Sequence, residues 1–193
     1  MGTAKAWLPF GPELMLQRVV RILREVAGPI VVVAAPDQDV PPLADDVRVV
    51  RDPAEYRGPL QGIAGGLAAL DGRCDLAFVT SCDVPLLQPA FVRRLVALLG
   101  EHDIAVPLVD GFHHPLSAVY RPRVRLIAER LLIADRLRPV FLFEEAPTRI
   151  VSRDELADVD PQMQTLRNLN HPEEYQAALS EVFGNDECGA GGK

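Results

Sequence analysis

With 193 residues, 48% of them hydrophobic, the chain has enough apolar material for one domain with a sizeable core and not comfortably for two. Twenty Lys and Arg against 27 Asp and Glu leave a formal charge of -7, so no global basic surface would draw in nucleic acid or an anionic membrane. An anionic ligand needs a local basic pocket instead. The longest charge-free stretch, Gly58 to Leu70, is 13 residues with four Gly, short of the ~18 to 20 apolar residues of a membrane span. No secretory h-region follows Lys5, and Ala6 stands where a myristoylation signal wants Ser or Thr. Three cysteines without a CxxC spacing support neither a disulfide framework nor a zinc site, which fits a reducing, cytoplasmic setting. Residues 1–183 read as one domain and 184–193 as a disordered tail.

In chain order, Met15, Val19, Ile22, Leu23 and Val26 recur at helical spacing and predict a helix over 13–26, stopped by Gly28-Pro29. Ile30 to Ala34 reads as a strand buried on both faces, and Val47 to Val50 as a short strand ending at Arg51-Asp52-Pro53. A helix of Gly, Ala and Leu runs from Gly58-Pro59 to Leu70, its small residues suiting close approach to a sheet. Leu76 to Ser81 is a third continuous strand, ended by Cys82-Asp83-Val84-Pro85. A helix over 89–99 has Pro89 at its first turn and Gly100 past its end. There follow strands at 104–106 and 116–120, a helix at 123–134, a strand at 148–151 and a helix over 172–183. Strands separated by helical segments imply βαβ units, hence an α/β fold of three layers with a mainly parallel sheet. Ligands then collect at the carboxyl ends of the strands, where Asp52 and Asp83 stand.

Asp83 follows an apolar strand and Pro85 forces the chain away, so its carboxylate is placed to hold Mg²⁺ together with substrate phosphate oxygens; turn or helix capping is the competing reading. Gly58-Pro59-Leu60-Gln61-Gly62 opens a helix with free backbone N–H groups, or is an ordinary Gly-Pro turn. Lys5 is by default a solvated lysine, set apart by its apolar neighbours. His113 and His114 precede a strand that would point them to opposite faces, which favours binding or structure over metal ligation. Asn168-Leu169-Asn170 before Pro172-Glu173-Glu174 is compatible with helix-entry chemistry. The Gly-rich tail has the wrong spacing for a phosphate loop.

In order, Met1-Gly2-Thr3-Ala4-Lys5-Ala6 with Leu8-Pro9-Phe10-Gly11, Gly58-Pro59-Leu60-Gln61-Gly62-Ile63, Ser81-Cys82-Asp83-Val84-Pro85, His114-Pro115-Leu116 and Asn168-Leu169-Asn170-His171-Pro172-Glu173-Glu174-Tyr175 resemble the molybdenum cofactor guanylyltransferases of the MobA type along nearly the whole chain. The resemblance implies a Rossmann-like nucleotidyltransferase fold. It also implies transfer of GMP from GTP to molybdenum-bound molybdopterin, with Mg²⁺ as cofactor and molybdoenzyme-maturation proteins as further partners. By matching position, Lys5 would hold triphosphate oxygens, Asp52 would contact the nucleotide and Asp83 would coordinate the metal. Gly58, Pro59, Leu60 and Gly62 would line the guanosine pocket. His114, Asn168 and Asn170 would lie near the pterin half, and Arg136 and Arg138 resemble a basic pair of that region. Family members carry a strand and a Leu-Ala-Gly-Gly-x-Ser-x-Arg loop ahead of the Met-Gly that stands here as Met1-Gly2, so the expectation is a chain truncated at its front by a start codon assigned too far downstream. Two alternatives stay open. One is a cytidylyltransferase or other NTP transferase, and the other a non-catalytic nucleotide- or pterin-binding module without the phosphate loop.

Overall fold

A computed structural model describes residues 4–53 and 57–184. Met1-Gly2-Thr3, Cys188 and all of the expected tail after Gly184 lie outside the described residues. A 3-10 turn at Lys5–Trp7 leads into a hairpin of β1 (Pro9–Phe10) and β2 (Glu13–Leu14), and α1 then runs Met15–Leu23. The expected helix over 13–26 is thus shortened at both ends. Glu13 and Leu14 are claimed by the hairpin, and the chain beyond Leu23 relaxes into turns. Gly11 makes the hairpin turn at φ +65°, and a Cβ there would lie 2.2 Å from the Phe183 ring, so both backbone and packing require glycine.

Next come β3 (Val31–Ala34), β4 (Arg48–Arg51), α2 (Gly58–Leu70), β5 (Ala77–Thr80) and α3 (Pro89–Leu99). The second half holds β6 (Ile104–Val109), β7 (Phe112–His113), β8 (Ser117–Tyr120), α4 (Arg125–Ile133), α5 (Val140–Glu145), β9 (Thr148–Ser152) and α6 (Pro172–Phe183). The period-2 rule sorts the central strands cleanly. Ile104, Val106, Ala118 and Tyr120 pack with Leu60, Ile63 and Leu67 of α2 and with α4 and α5, while Ala105, Val109 and Val119 pack on Phe91, Leu95 and Leu99 of α3. This is the expected three-layer arrangement.

The sheet departs from the mainly parallel expectation. β3–β4 and β6–β9 pair in parallel, whereas β5–β8, β6–β8, β6–β7 and β1–β2 are antiparallel. The cause is a two-residue turn: Asp110 and Gly111 both take positive φ, 51° and 81°, and Val109 pairs with Phe112. That geometry closes a tight hairpin and returns β8 between β5 and β6. The Asp-Gly pair flanked by apolar residues is a legible hairpin signal that the reading of separate strands overlooked. β6 also runs past its expected end at Val106. Pro107 is tolerated because its carbonyl, and so its nitrogen, faces the hairpin side, where it accepts from His114 N and where β8 has already stopped pairing.

β3 and β4 form a sheet of their own, separate from the five-stranded sheet that begins at β5. Ile30 and Ala34 carbonyls accept from Arg48 and Asp52 N–H groups, so the alternate peptide groups of Val31 and Val33 face away from β4. They face β5 across an apolar slot. One cavity of about 320 Å³ is lined by Val31 to Val33 together with Ala77 to Ser81, and a second of about 290 Å³ by Gly28 to Val31 with Leu76 to Phe78. The starts of both strands therefore lie at one end of the slot and their carboxyl ends at the other, so β3 and β5 run in the same direction. Val31 to Val33 are only half-buried, contrary to the expectation of a strand covered on both faces, because this edge borders the slot.

Candidate functional site

The carboxyl ends of β4 and β5 border the same cavity. Asp52 follows β4 directly and lines the larger cavity together with Gly58, Pro59, Gly62, Thr80, Ser81 and Cys82. Small residues bring α2 close to this strand pair: a Cβ on Gly65 would lie 3.3 Å from Asp52 Oδ1, and one on Gly66 3.4 Å from Val33. Gly58 enters α2 at φ +69°, and a Cβ on Gly62 would meet nothing within 4 Å, so the first turn of α2 leaves space for a ligand. Leu60 does not share this role. It is fully buried in the core cluster of α2 with Ile63 and Leu67, and unlike those two it does not line the cavity.

Two buried polar atoms without a hydrogen-bond partner among the described residues, Asp52 Oδ1 and Thr80 Oγ1, belong to residues lining this cavity. Buried polar atoms are ordinarily paired, so both mark places where a bound group would complete the structure. Burial pushes the Asp52 carboxyl above its usual range.

Beside the cavity, Asp83 is held from three sides. Lys5 Nζ donates to its Oδ2 at 2.6 Å, while Ser81 Oγ at 2.5 Å and Asn168 Nδ2 at 2.8 Å donate to Oδ1. Lys5 Nζ also donates to Asn170 Oδ1 at 2.5 Å. Asp83 is 8% exposed. The segment carrying both asparagines is fixed by Leu169, whose N–H donates to the Asp83 carbonyl at 2.9 Å and whose side chain is buried against Phe10, Met15 and Leu86. Glu174, in the first turn of α6, accepts from the N–H groups of Asn170 and His171, which holds its carboxyl below the usual range. The structure thus brings Lys5, Asp83, Asn168 and Asn170 into one cluster. The two asparagines contact the lysine and the aspartate directly, Asn168 on Asp83 and Asn170 on Lys5.

Of the two adjacent histidines, only His113 lies in a strand, β7, and His114 follows it. His113 stacks on Phe143 with ring centroids 5.2 Å apart, and His114 is half-buried with its basicity lowered by desolvation. Neither joins the Asp83 cluster. Arg136 pairs with Glu144 and Glu145 and lies over Phe141, so its guanidinium is already engaged, while Arg138 is exposed. Sequence reasoning passed over Ser81 and Thr80 as site residues, although both immediately precede the Cys82-Asp83 turn at a strand's carboxyl end. Among the described residues no three His, Cys, Asp or Glu gather into a protein-built metal cage. No helix among them is long and apolar enough to cross a membrane.

The cavity lies at the carboxyl ends of strands in a layered α/β fold, where such folds bind ligands, and the Lys5–Asp83 pair stands next in sequence to its lining residues Ser81 and Cys82. Residues 1–148 match the MobA-like NTP transferase domain family, and the chain belongs to it; it is a nucleotidyltransferase. It is 39% identical over 141 residues to a probable molybdenum cofactor guanylyltransferase of Mycobacterium avium, covering 71% of this chain and 68% of that one. It is 29% identical over 182 residues to the molybdenum cofactor guanylyltransferase of Desulfosudis oleivorans, covering 94% and 88%. Among solved structures it resembles molybdopterin-guanine dinucleotide biosynthesis protein A of Archaeoglobus fulgidus, with a TM-score of 0.75, 17% identity and coverage of 94% and 91%. It also resembles the manganese complex of Rv0371C from Mycobacterium tuberculosis, with a TM-score of 0.57, 15% identity and coverage of 93% of each chain. These neighbours share the Rossmann-like nucleotidyltransferase fold.

Because burial raises the Asp52 carboxyl's pKa above its unfolded value near ~3.9, the folded state holds the proton more tightly and loses stability as pH rises through the raised value. Asp52→Asn is therefore expected to raise the melting temperature at pH 7 and to converge on the wild type as pH falls toward ~4. Melts across that range check this, and a lower melting temperature for the variant at pH 7 would show that the carboxylate is satisfied in the free protein.

Proposed function

We propose that the protein transfers GMP from GTP to the phosphate of molybdenum-bound molybdopterin, giving the guanine dinucleotide cofactor and pyrophosphate. The observation that carries this reading is the Lys5–Asp83 pair beside a cavity with two polar atoms unpartnered among the described residues, in a chain of this family. A phosphate oxygen of the acceptor attacks the α-phosphorus of GTP, and the bond to the bridging oxygen of the leaving pyrophosphate breaks. Such transfers need in-line positioning and charge neutralisation more than a covalent group from the protein.

Lys5 supplies positive charge to the triphosphate, in a chain whose net charge is -7. Asp52, with Oδ1 buried and unpartnered, accepts from the nucleotide, and Gly58, Pro59 and Gly62 form the guanosine wall. Mg²⁺ fits at Asp83: one carboxylate with a hydroxyl beside it, and no larger carboxylate cage among the described residues, is the oxygen-poor protein set that this ion completes with phosphate oxygens and water. When bound, the ion would neutralise charge on the transferring and leaving phosphates. His114, kept neutral by burial, offers the acceptor side a hydrogen bond and no charge. The reaction takes place in the cytoplasm.

Single-turnover assays with labelled GTP and molybdenum-molybdopterin test the activity. Guanylyl transfer is expected to depend on a divalent ion and to fall by about a hundredfold or more in Asp83→Asn. GTP should be favoured over CTP by about tenfold or more, because the wrong base edge leaves buried polar groups unpaired at ~1 to 3 kcal/mol each. An unchanged rate in Asp83→Asn would remove the metal assignment, and equal use of CTP would move the assignment to a cytidylyltransferase.

A further inference from the structure

Asp83 has only one oxygen to offer outward. Oδ1 is taken by Ser81 and Asn168, and Oδ2 is taken by Lys5 at 2.6 Å. Asn170 grips the same ammonium from its other side at 2.5 Å. Both asparagines lie on one short strap whose central Leu169 is pinned to the Asp83 backbone and buried, so the Asn168 amide on the carboxylate and the Asn170 amide on the ammonium are placed together with Asp83. The result is an ammonium standing where a divalent cation would sit.

Charge accounting then sets the order of events. A divalent ion arriving alone must evict a tethered cation that has, among the described residues, no second ion-pair partner and only the neutral carbonyl of Asn170, and must approach while that positive charge remains nearby. A triphosphate changes the balance, because Lys5 gains phosphate oxygens as it gives up Oδ2. We propose that Lys5 is a stand-in cation on Asp83, with Asn168 and Asn170 as positioning residues. Asn168 locks the carboxylate so that Oδ2 faces the cation, Asn170 parks the displaced or resting ammonium, and the metal is admitted together with the nucleotide. This rests on the reading of Asp83 as the metal-binding carboxylate.

The test uses Mn²⁺ alone, titrated without nucleotide and followed by the electron paramagnetic resonance signal of the free ion, with thermal melts confirming that each variant is folded. Lys5→Met, with Lys5→Gln as a second way of vacating Oδ2, is expected to bind Mn²⁺ roughly tenfold more tightly than the wild type, or to bind where the wild type shows nothing. Adding Asn168→Ala to Lys5→Met should lose about fivefold or more of that gain in a variant that still melts cooperatively, though at a lower temperature, since a freed carboxylate no longer presents Oδ2. If neither lysine variant binds more tightly than the wild type, the stand-in role is overturned; if Asn168→Ala leaves the affinity of Lys5→Met intact, the positioning role is. Adding Asp83→Asn to Lys5→Met is expected to abolish the site. Binding as tight in that double variant as in Lys5→Met would instead overturn the metal assignment itself, which separates the two failures.

Discussion

The Asp83 carboxylate is the point on which the chain closes. Its three side-chain donors come from the start of the chain, from the residue two positions before it and from the segment ahead of the last helix, with Lys5 78 and Asn168 85 positions away in sequence. The Leu169 bond to its carbonyl and the burial of Leu169 beside Phe10 and Met15 then tie α6 to the first hairpin. Removing Lys5 or Asn168 would leave a mostly buried carboxylate short of a donor, a deficit of about 1 to 3 kcal/mol for such groups. The same contacts therefore shape the site and close the fold. A residue needed for chemistry is also the clasp that brings the two ends of the described chain together.

The rest of the architecture explains why that clasp lies next to a cavity. The α2, α4 and α5 layer and the α3 layer clamp the five-stranded sheet from both faces, giving β5 a rigid carboxyl end from which Ser81 and Asp83 project. β3 and β4 are held differently, by α1 and by the glycine face of α2. Two strand sets supported by different helices leave a slot between them. Its mouth collects Asp52, Thr80 and the first turn of α2. Asp52 Oδ1 and Thr80 Oγ1, without a partner among the described residues, keep that mouth polar at an expense in desolvation.

Much of this was legible in the sequence, and the failures have physical causes. Helices longer than ten residues announced themselves by period, caps and Gly or Pro punctuation, so α2, α3 and α6 fall within a residue of expectation. Short elements did not. α5 spans six residues, less than two turns, and its Val-Phe-Leu-Phe run carries no period that separates helix from strand. The mixed pairing of the sheet depended on Asp110-Gly111, a local turn signal with a global consequence for strand order. At the site, Lys5, Asp52 and Asp83 stood out by position and family resemblance. Leu60 illustrates the limit of motif reasoning: it lies inside the glycine motif, yet helix geometry turns it into the core. The placement of Asn168 and Asn170 on Asp83 and Lys5 could not be read from spacing, because it is a contact across most of the chain, made by packing of Leu169.

The account depends on one carboxylate serving first the ammonium of Lys5 and then a metal ion. A crystal structure of the protein with Mn²⁺ and a non-hydrolysable GTP analogue, phased to show the manganese anomalous signal, addresses that directly. The expected result is a manganese peak bonded to Asp83 Oδ2, with Lys5 moved onto the phosphates and Asn168 still on Oδ1. A manganese peak away from Asp83, with Lys5 retained on that carboxylate beside bound nucleotide, would contradict it.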